Sequence, residues 1–152
     1  MIAQIKGKLV EKHPTHVIID CNGLGYMVHI SLHTFGQLGA DESIKLYTHL
    51  QVKEDSHTLF GFFQPIERTV FRLLISISGI GASIARTMLS SMSPQEIQHA
   101  ILSGNLAAIK GVKGIGLKTA QRVLIELKDK VQKIEGNDEI PVLQSNRTKE
   151  ET

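Results

Sequence analysis

The sequence predicts two domains, a β domain followed by an all-α domain, and three observations support this division. Residues 1–62 contain five short runs of strand-forming residues separated by polar or glycine-rich turns. Residues 63–133 contain a helical pattern that occurs twice, each time around a Gly-x-Gly sequence. The two segments also differ in net charge, which is −1 in the first and +6 in the second.

Five strands are expected in residues 1–62 because hydrophobic and polar residues alternate in five short runs. Asn22-Gly23, between the second and third runs, is a typical two-residue hairpin turn. One helical turn is expected over residues 33–38. Five short strands are typical of a small closed barrel, of which the OB-fold is the commonest nucleic-acid-binding form. The predicted strands are 2–12, 16–21, 26–30, 44–52 and 58–62.

Two adjacent acidic residues, Glu54 and Asp55, lie between the last two predicted strands. An acidic pair at a hairpin tip is usually a solvated turn. No further carboxylate or suitably spaced histidine accompanies the pair, so the sequence predicts no metal site there.

Cysteine content and hydropathy limit the class of protein. The single cysteine, Cys21, excludes an intramolecular disulfide and a cysteine-rich zinc site, and it is expected to be buried in a strand. The N-terminus lacks the apolar core of a signal peptide, and no apolar run approaches the length of a membrane span. A soluble cytoplasmic protein is therefore expected.

Five helices are expected in the second domain. The first two are predicted over residues 66–76 and 82–91. Ser93-Pro94-Gln95-Glu96 is a helix start signal, and the third helix should run to about residue 102. Asn105 can cap a short fourth helix, and the fifth follows the second Gly-x-Gly. The third helix should hold the two glycine turns together in one body.

The two glycine sequences, Gly79-Ile80-Gly81 and Gly114-Ile115-Gly116, belong to repeats offset by 35 residues. An alanine, Ala85 or Ala120, follows the second glycine by four residues in each repeat. This pattern resembles the helix-hairpin-helix motif, which binds DNA backbones without reading base sequence. Glycine permits positive φ and close approach of a ligand, and the next helix begins with free N–H groups that suit a phosphate.

Basic residues surround the second glycine turn, where Lys118 and Arg122 share a helical face with Lys113 nearby. This charge is expected of a phosphate-binding face, although ordinary solvated helix surface can have the same composition. A nucleotide-binding P-loop is disfavoured because Leu117 separates the second glycine from the lysine and because a helix precedes the turn. A tight turn between packed helices with no ligand is the other alternative, and the doubled pattern argues against it.

The order of these features resembles the RuvA family, the Holliday junction-binding subunits of the RuvAB branch migration complex. The resemblance covers residues 1 to about 133. The stretches that carry it are 1–7, 22–29, 54–62, 67–71, 78–81 and 113–120.

The resemblance implies an OB-fold followed by a double helix-hairpin-helix domain. It also implies a homotetramer, or an octamer on DNA, that holds an open four-way junction during recombination and DNA repair. Glu54 and Asp55 match the acidic pin of the family, which would repel phosphates at the junction centre. The residues that would contact DNA backbones are Gly79, Ile80, Gly81, Ser83, Arg86, Lys113, Gly114, Ile115, Gly116, Lys118, Thr119 and Arg122.

Two features depart from the family pattern. Family members continue through a linker into a third domain that contacts the RuvB ring ATPase. Residues 134–152 have the composition of a flexible acidic linker, so this sequence is expected to stop before that domain. The departure puts stimulation of RuvB in question for this polypeptide. Ser83 also stands where a basic residue is common, so the first hairpin is expected to grip DNA less strongly.

No catalytic constellation is apparent, because the seven histidines are scattered and no Ser-His-Asp or Cys-His arrangement is suggested. DNA glycosylases also contain helix-hairpin-helix units, but Asp129 lacks the preceding Gly/Pro-rich run of their catalytic aspartate. The sequence therefore predicts a non-enzymatic DNA-binding subunit that needs no cofactor or metal. Two alternatives remain, a general duplex or single-strand binder that uses the barrel face, and a protein scaffold that does not bind DNA.

Overall fold

A computed structural model describes residues 1–40 and 42–136, and its N-terminal half is a closed five-stranded barrel with the strand order β1-β2-β3-β5-β4. The five predicted strands and the predicted helical turn are confirmed. Closure, which alternation alone could not predict, comes from antiparallel pairing of β1 with β4 and parallel pairing of β3 with β5. The elements are β1 (Gln4–Lys12), β2 (His16–Cys21), β3 (Leu24–His29), α1 (Leu32–Gln37), β4 (Ser43–Lys53) and β5 (Ser56–Phe62).

The β2–β3 and β4–β5 turns are shorter than the gaps between the predicted strands, because the strands extend further than predicted. Asn22 and Gly23 alone connect β2 and β3, with φ values of 55° and 94°. Positive φ at both positions is the geometry for which Asn-Gly is selected. Similarly, β5 begins at Ser56, so Glu54 and Asp55 form the complete turn between β4 and β5. Both acidic side chains are exposed at this tip.

The C-terminal half contains the five predicted helices, and their start signals work as expected. Ser93 and Glu96 form a reciprocal capping box at the start of α4. Asn105 accepts a hydrogen bond from the Ala108 N–H and caps α5. The helices are α2 (Pro65–Ile75), α3 (Ala82–Ser91), α4 (Pro94–Ser103), α5 (Leu106–Lys110) and α6 (Leu117–Gly136).

The last helix, α6, extends to Gly136 and therefore continues past residue 134, where the acidic linker was expected to begin. The rest of that linker prediction, residues 137–152, lies outside the described residues. None of the helices in the described part of the chain is long and apolar enough to cross a membrane.

Two hydrophobic cores form, and β5 contributes to both of them. Leu59 points into the barrel, whereas Phe60 and Phe62 belong to the core of the helical half and pack against Phe71 of α2. This alternation follows from the two-residue period of a strand. Gly61 lies on the inner side, where a Cβ atom would overlap Val28 and Leu46. The β5 strand therefore joins the two halves through its outer aromatic face.

A buried carboxylate also joins the two halves. Glu67 of α2 is fully buried, and both of its oxygens accept hydrogen bonds, one from the Ser31 hydroxyl and one from the Thr34 hydroxyl at 2.5 Å. The Thr34 oxygen in turn accepts a hydrogen bond from the Phe63 N–H at 3.1 Å. The network connects α1, the end of the barrel and α2, so the relative position of these elements depends on Glu67.

Cys21 differs from its prediction in burial. It is the last residue of β2, as expected, but its side chain is only half-buried. The thiol lies 3.4 Å from the Lys6 carbonyl oxygen, where it can donate a hydrogen bond across the strands. The last fully buried residue of β2 is Ile19, two residues earlier, and Cys21 lies at the strand end beside the turn that begins at Asn22.

Candidate nucleic-acid interface

The two Gly-x-Gly turns have the same backbone conformation. Gly79 and Gly114, the first glycine of each turn, have φ values of 102° and 95°. In each turn the central isoleucine donates its N–H to the carbonyl three residues earlier, at 3.0 Å in the first and 3.2 Å in the second. The 35-residue repeat in the sequence is therefore a repeat in structure.

The two turns lie side by side and contact each other reciprocally. A Cβ atom on Gly79 would lie 2.9 Å from the Thr119 hydroxyl of α6, and one on Gly114 would lie 3.5 Å from Ile84 of α3. Ile84 and Thr119 are equivalent positions, 35 residues apart. The hairpins are thus related by a local two-fold arrangement, as expected for a compact pair, and both turns belong to one surface.

The second glycine of each turn leaves open space in front of a helix N-terminus. Gly81 and Gly116 are exposed, and a Cβ atom at either position would have no neighbour within 4 Å. The first ladder bonds of the helices run from Ala85 to Gly81 and from Ala120 to Gly116. The N–H groups earlier in the first turn of α3 and of α6 make no such helical hydrogen bond, so they are available to an anion.

The isoleucines of the two turns have a different role from the glycines beside them. Ile80 and Ile115 are only 4% and 6% exposed, and their N–H groups already donate within the turn. Their side chains anchor the turns in the helical core. The predicted contribution of these two residues to DNA contact is therefore indirect, because they position the neighbouring glycines.

The two hairpins differ in charge at equivalent positions. The second carries Lys113, Lys118 and Arg122, all exposed. The corresponding residues of the first hairpin, 35 positions earlier, are hydroxylic: Ser78, Ser83 and Thr87. The first hairpin therefore lacks a basic residue at three equivalent positions, whereas the sequence analysis identified this difference only at Ser83.

Arg122 of the second hairpin contacts the first hairpin across the local two-fold axis. Its guanidinium donates to the Ser78 carbonyl of the first turn at 3.4 Å and lies 3.5 Å from a carboxylate oxygen of Glu126 on its own helix. This bridge places the cation of the second repeat beside the uncharged turn of the first. Thr119, predicted as a DNA contact, is half-buried against Gly79 and helps to hold the turns together.

Three arginines in the +6 segment hold the helical half against the barrel. Arg68 donates to the Ala3 carbonyl at 2.8 Å, and Arg72 donates to the imidazole of His49 at 3.2 Å. Arg86, predicted as a DNA contact, is half-buried and donates to the Thr15 carbonyl at 2.9 Å. Part of the basic excess thus has carbonyl or imidazole partners within the molecule, and the assignment of Arg86 to DNA contact stays a prediction.

Two histidines near the arginines have lowered pKa values. Burial, together with the positive charge of Arg72 and then of Arg68, lowers the pKa of His49 below its ordinary value of 6.5. Burial, Arg86 and His16, in that order, lower the pKa of His29 in the same way. These surroundings disfavour the charged form of both imidazoles.

Comparisons with known proteins agree with the two halves of the structure. The family model described as RuvA N terminal domain matches residues 1–61, and the model described as SAM-like Helix-hairpin-helix tandem matches residues 71–129. The two matched segments correspond to the barrel and to most of the helical half.

Eight similar proteins share the printed name Holliday junction branch migration complex subunit RuvA. The chain is 60% identical to the protein of Christiangramia forsetii over 151 residues, which is 99% of this chain and 78% of the relative. It is 58% identical to that of Flavobacterium psychrophilum, with the same coverage of both chains. It is 54% identical to that of Cytophaga hutchinsonii over 133 residues, which is 88% of this chain and 67% of the relative.

Proposed function

The chain belongs to the RuvA family, and we propose that it is a structure-selective DNA-binding subunit that holds a four-way junction open for branch migration. The observation that carries the proposal is the paired arrangement of the two glycine turns. Gly81 and Gly116 open toward solvent in front of free helix N–H groups, on one surface. Two such turns can contact phosphates of a DNA arm with main-chain donors.

The binding that follows from this geometry does not read base sequence. Main-chain amides at Gly79, Gly81, Gly114 and Gly116 contact phosphate oxygens, and these contacts fix position and orientation rather than sequence. Lys113, Lys118 and Arg122 add positive charge on the second hairpin. Selectivity then depends on the shape of the DNA, because a junction presents several arms at once.

The proposed assembly follows from the same relationship. Four copies form a homotetramer, or eight form an octamer, and each subunit takes one arm of the junction. The acidic pins of four subunits meet at the centre, where carboxylates repel phosphates and keep the strands apart. The subunit has no catalytic role and acts in the cytoplasm, and ATP hydrolysis belongs to the RuvB ring ATPase as its partner.

A competition experiment tests the proposal directly. Labelled four-way junction is bound at physiological salt, and unlabelled junction or linear duplex of equal length is added as competitor. The junction should compete at concentrations lower by orders of magnitude. Equal competition by duplex would show a general DNA-binding protein instead, and binding of neither DNA would favour a protein scaffold.

Lys118→Ala is expected to weaken the salt dependence of junction binding. Loss of one phosphate contact should reduce the slope of log affinity against log salt by roughly 1 for each engaged subunit. Titrations at several salt concentrations measure the slope. Lys128→Ala removes the same charge from the same helix about 15 Å further along and should leave the slope unchanged. Equal slopes for all three proteins would exclude Lys118 from the interface.

Neutralising the acidic pin is expected to leave junction affinity unchanged or to increase it. Glu54→Gln combined with Asp55→Asn removes two carboxylates from an exposed turn without changing side-chain volume. If the pin repels phosphates, its neutral form should not bind less DNA. Glu11→Gln, an exposed change on β1, serves as the control. Weaker binding by the pin variant would contradict a repulsive role.

A further inference from the structure

An open groove lies between α4 and α5, and most of its exposed surface is apolar. It has a volume of about 350 Å³. Ala100 is buried in its lining, and Met92 and Ala108 are half-buried against the helical core. Gln95 and His99 are exposed at its edge. None of these residues belongs to a glycine turn, so the groove is separate from the candidate nucleic-acid interface.

The groove is apolar because the polar groups beside it are already used by helix caps. Glu96 lines the groove, but its Oε1 accepts a hydrogen bond from the Ser93 N–H at 2.8 Å in the capping box of α4. Asn105 also lines it, and its Oδ1 accepts a hydrogen bond from the Ala108 N–H at 3.1 Å. A ligand of this groove is therefore recognised mainly by apolar contact.

The last helix packs against both helices that form the groove. Contacts of α6 with α4 and with α5 hold it against the helical half. Val131 is only 1% exposed, and Ile134, two residues before the helix ends, is half-buried. The chain therefore leaves α6 close to the helical core.

The tail that follows, residues 137–152, contains one apolar run in its sequence. The run is Ile140, Pro141, Val142 and Leu143, with polar residues on both sides. Four residues separate Gly136 from its first member and seven from its last, which correspond to spans of about 13 and 23 Å in an extended chain. By comparison, the ten residues of α4 extend over about 15 Å. The run can therefore reach along α4 from the end of α6.

We propose that this apolar run binds in the α4–α5 groove of its own chain. Aliphatic side chains are the groups that gain free energy when they cover an apolar surface. Pro141 restricts the conformations of Ile140 in the unbound chain, so less entropy is lost on binding. Residues after position 143 then leave the molecule from the side of α4. This contact involves no DNA, so it does not depend on the proposed function.

The size of the groove favours a short segment of the same chain over a second copy. Its volume lies in the range of pockets that bind small ligands, whereas a stable interface between two proteins buries about 800 Å² on each partner. A short connection also gives the run a high effective concentration at the groove. An apolar contact too small to join two molecules is thus sufficient within one chain.

Leu143→Trp tests the proposal, because the sequence contains no other tryptophan and the fluorescence therefore reports only on the tail. In the groove, the indole ring should emit at shorter wavelength and resist quenching by acrylamide. Adding Val142→Asp places a charge in the run and should shift the equilibrium toward the unbound tail by at least about tenfold. Adding Ser145→Asp instead, outside the run, should leave the fluorescence unchanged.

Ala108→Glu tests the groove side of the contact, with Ala107→Glu as its matched control. Ala107 is the preceding residue of α5, but it is exposed and does not line the groove. Combined with Leu143→Trp, Ala108→Glu should expose the indole to acrylamide and Ala107→Glu should not. Thermal unfolding checks that both variants are folded, and the Val142→Asp comparison decides the question if Ala108→Glu is not. Equal quenching of Leu143→Trp with and without Val142→Asp, or of the two glutamate variants, would overturn the proposal.

Thermolysin, which cleaves before aliphatic residues, provides a check on the chain without tryptophan. Cleavage within residues 140–143 should be slower in the wild type and in Ala107→Glu than in Ala108→Glu, since all three have the same tail. Equal cleavage rates in the three folded proteins would overturn the proposal.

A mixing experiment distinguishes the same chain from a second copy. The Leu143→Trp/Ala108→Glu protein has a tryptophan in its tail and a blocked groove, and it is incubated with an excess of Val142→Asp, whose groove is intact. Quenching should remain as strong as before mixing. Renewed protection of the indole would show that the tail binds the groove of another copy, which would also overturn the proposal.

Discussion

Gly116→Val is expected to reduce four-way junction affinity at least tenfold while the protein remains fully folded. The wild-type glycine does not have positive φ, and a Cβ atom there would meet no atom within 4 Å. A valine can therefore be accommodated by the protein, but its methyl groups occupy the space in front of the α6 N–H groups. Loss of several main-chain phosphate contacts accounts for an effect of about 1.4 kcal/mol or more, which corresponds to tenfold.

Equilibrium binding to a labelled junction measures this effect, and thermal unfolding checks the fold. Gly36→Val makes the same change at a glycine of α1 that also has open space around it, and it should not alter DNA binding. Gly114→Val is a less useful variant, because Gly114 has a φ of 95° and valine there is strained in the absence of DNA. Unchanged junction affinity of the Gly116 variant would contradict the assignment of the glycine turns to phosphate binding.

Glu67→Ala is expected to lower the free energy of unfolding by about 3–4 kcal/mol. The substitution removes the acceptor of two buried hydroxyl groups, those of Ser31 and Thr34, and leaves a cavity where α1 and α2 meet the barrel. Buried donors that lose their partner account for most of the cost. Urea denaturation followed by circular dichroism measures the change. A loss below about 1 kcal/mol would show that the network does not hold the two halves together.

Glu67→Gln is the matched control, since it keeps the side-chain volume and one carbonyl acceptor, and it should lose less stability than the alanine variant. The same variant also isolates the part of the pH dependence of stability that comes from the Glu67 carboxyl group. Burial raises the pKa of the Glu67 carboxyl above its ordinary value of 4.5, against the opposing influence of the hydrogen bonds from Ser31 and Thr34 and the charge of His33.

The sign of the pH effect follows from this raised pKa. The contribution of Glu67 to stability is fully present below pH 4.5 and is lost as the pH rises through the raised value of the folded state. The stability of the wild type relative to Glu67→Gln should therefore decrease between pH 4.5 and pH 8. A relative stability that increases over this range would show that the carboxylate is stabilised by its surroundings.

Features that depend on near neighbours in sequence were predicted well. The Gly-x-Gly repeats specified two turns whose first glycines have similar φ values, 102° and 95°. Ser93 with Glu96 specified a capping box that forms as expected. Asn22-Gly23 specified a hairpin turn. Each of these structures is determined by hydrogen bonds and steric limits within four residues, so a local pattern carries nearly all of the information.

Features that depend on distant partners were not predicted. Glu67 is the single acidic residue of α2, and its hydroxyl partners lie 33 and 36 residues away. Arg86 was assigned to DNA from its place beside the first hairpin, but its carbonyl partner lies 71 residues away.

The sequence by itself determined the elements of this protein: the five strands, the five helices that follow, and the conformation of both glycine turns. Only the tertiary structure decided which charged groups have partners within the molecule. Arg68, Arg72 and Arg86 each donate a hydrogen bond to a group of the barrel. The physical reason is the separation along the sequence between the groups that interact. Turns and caps are stabilised by contacts within a few residues, but the free energy of a charge depends on every group that surrounds it after folding.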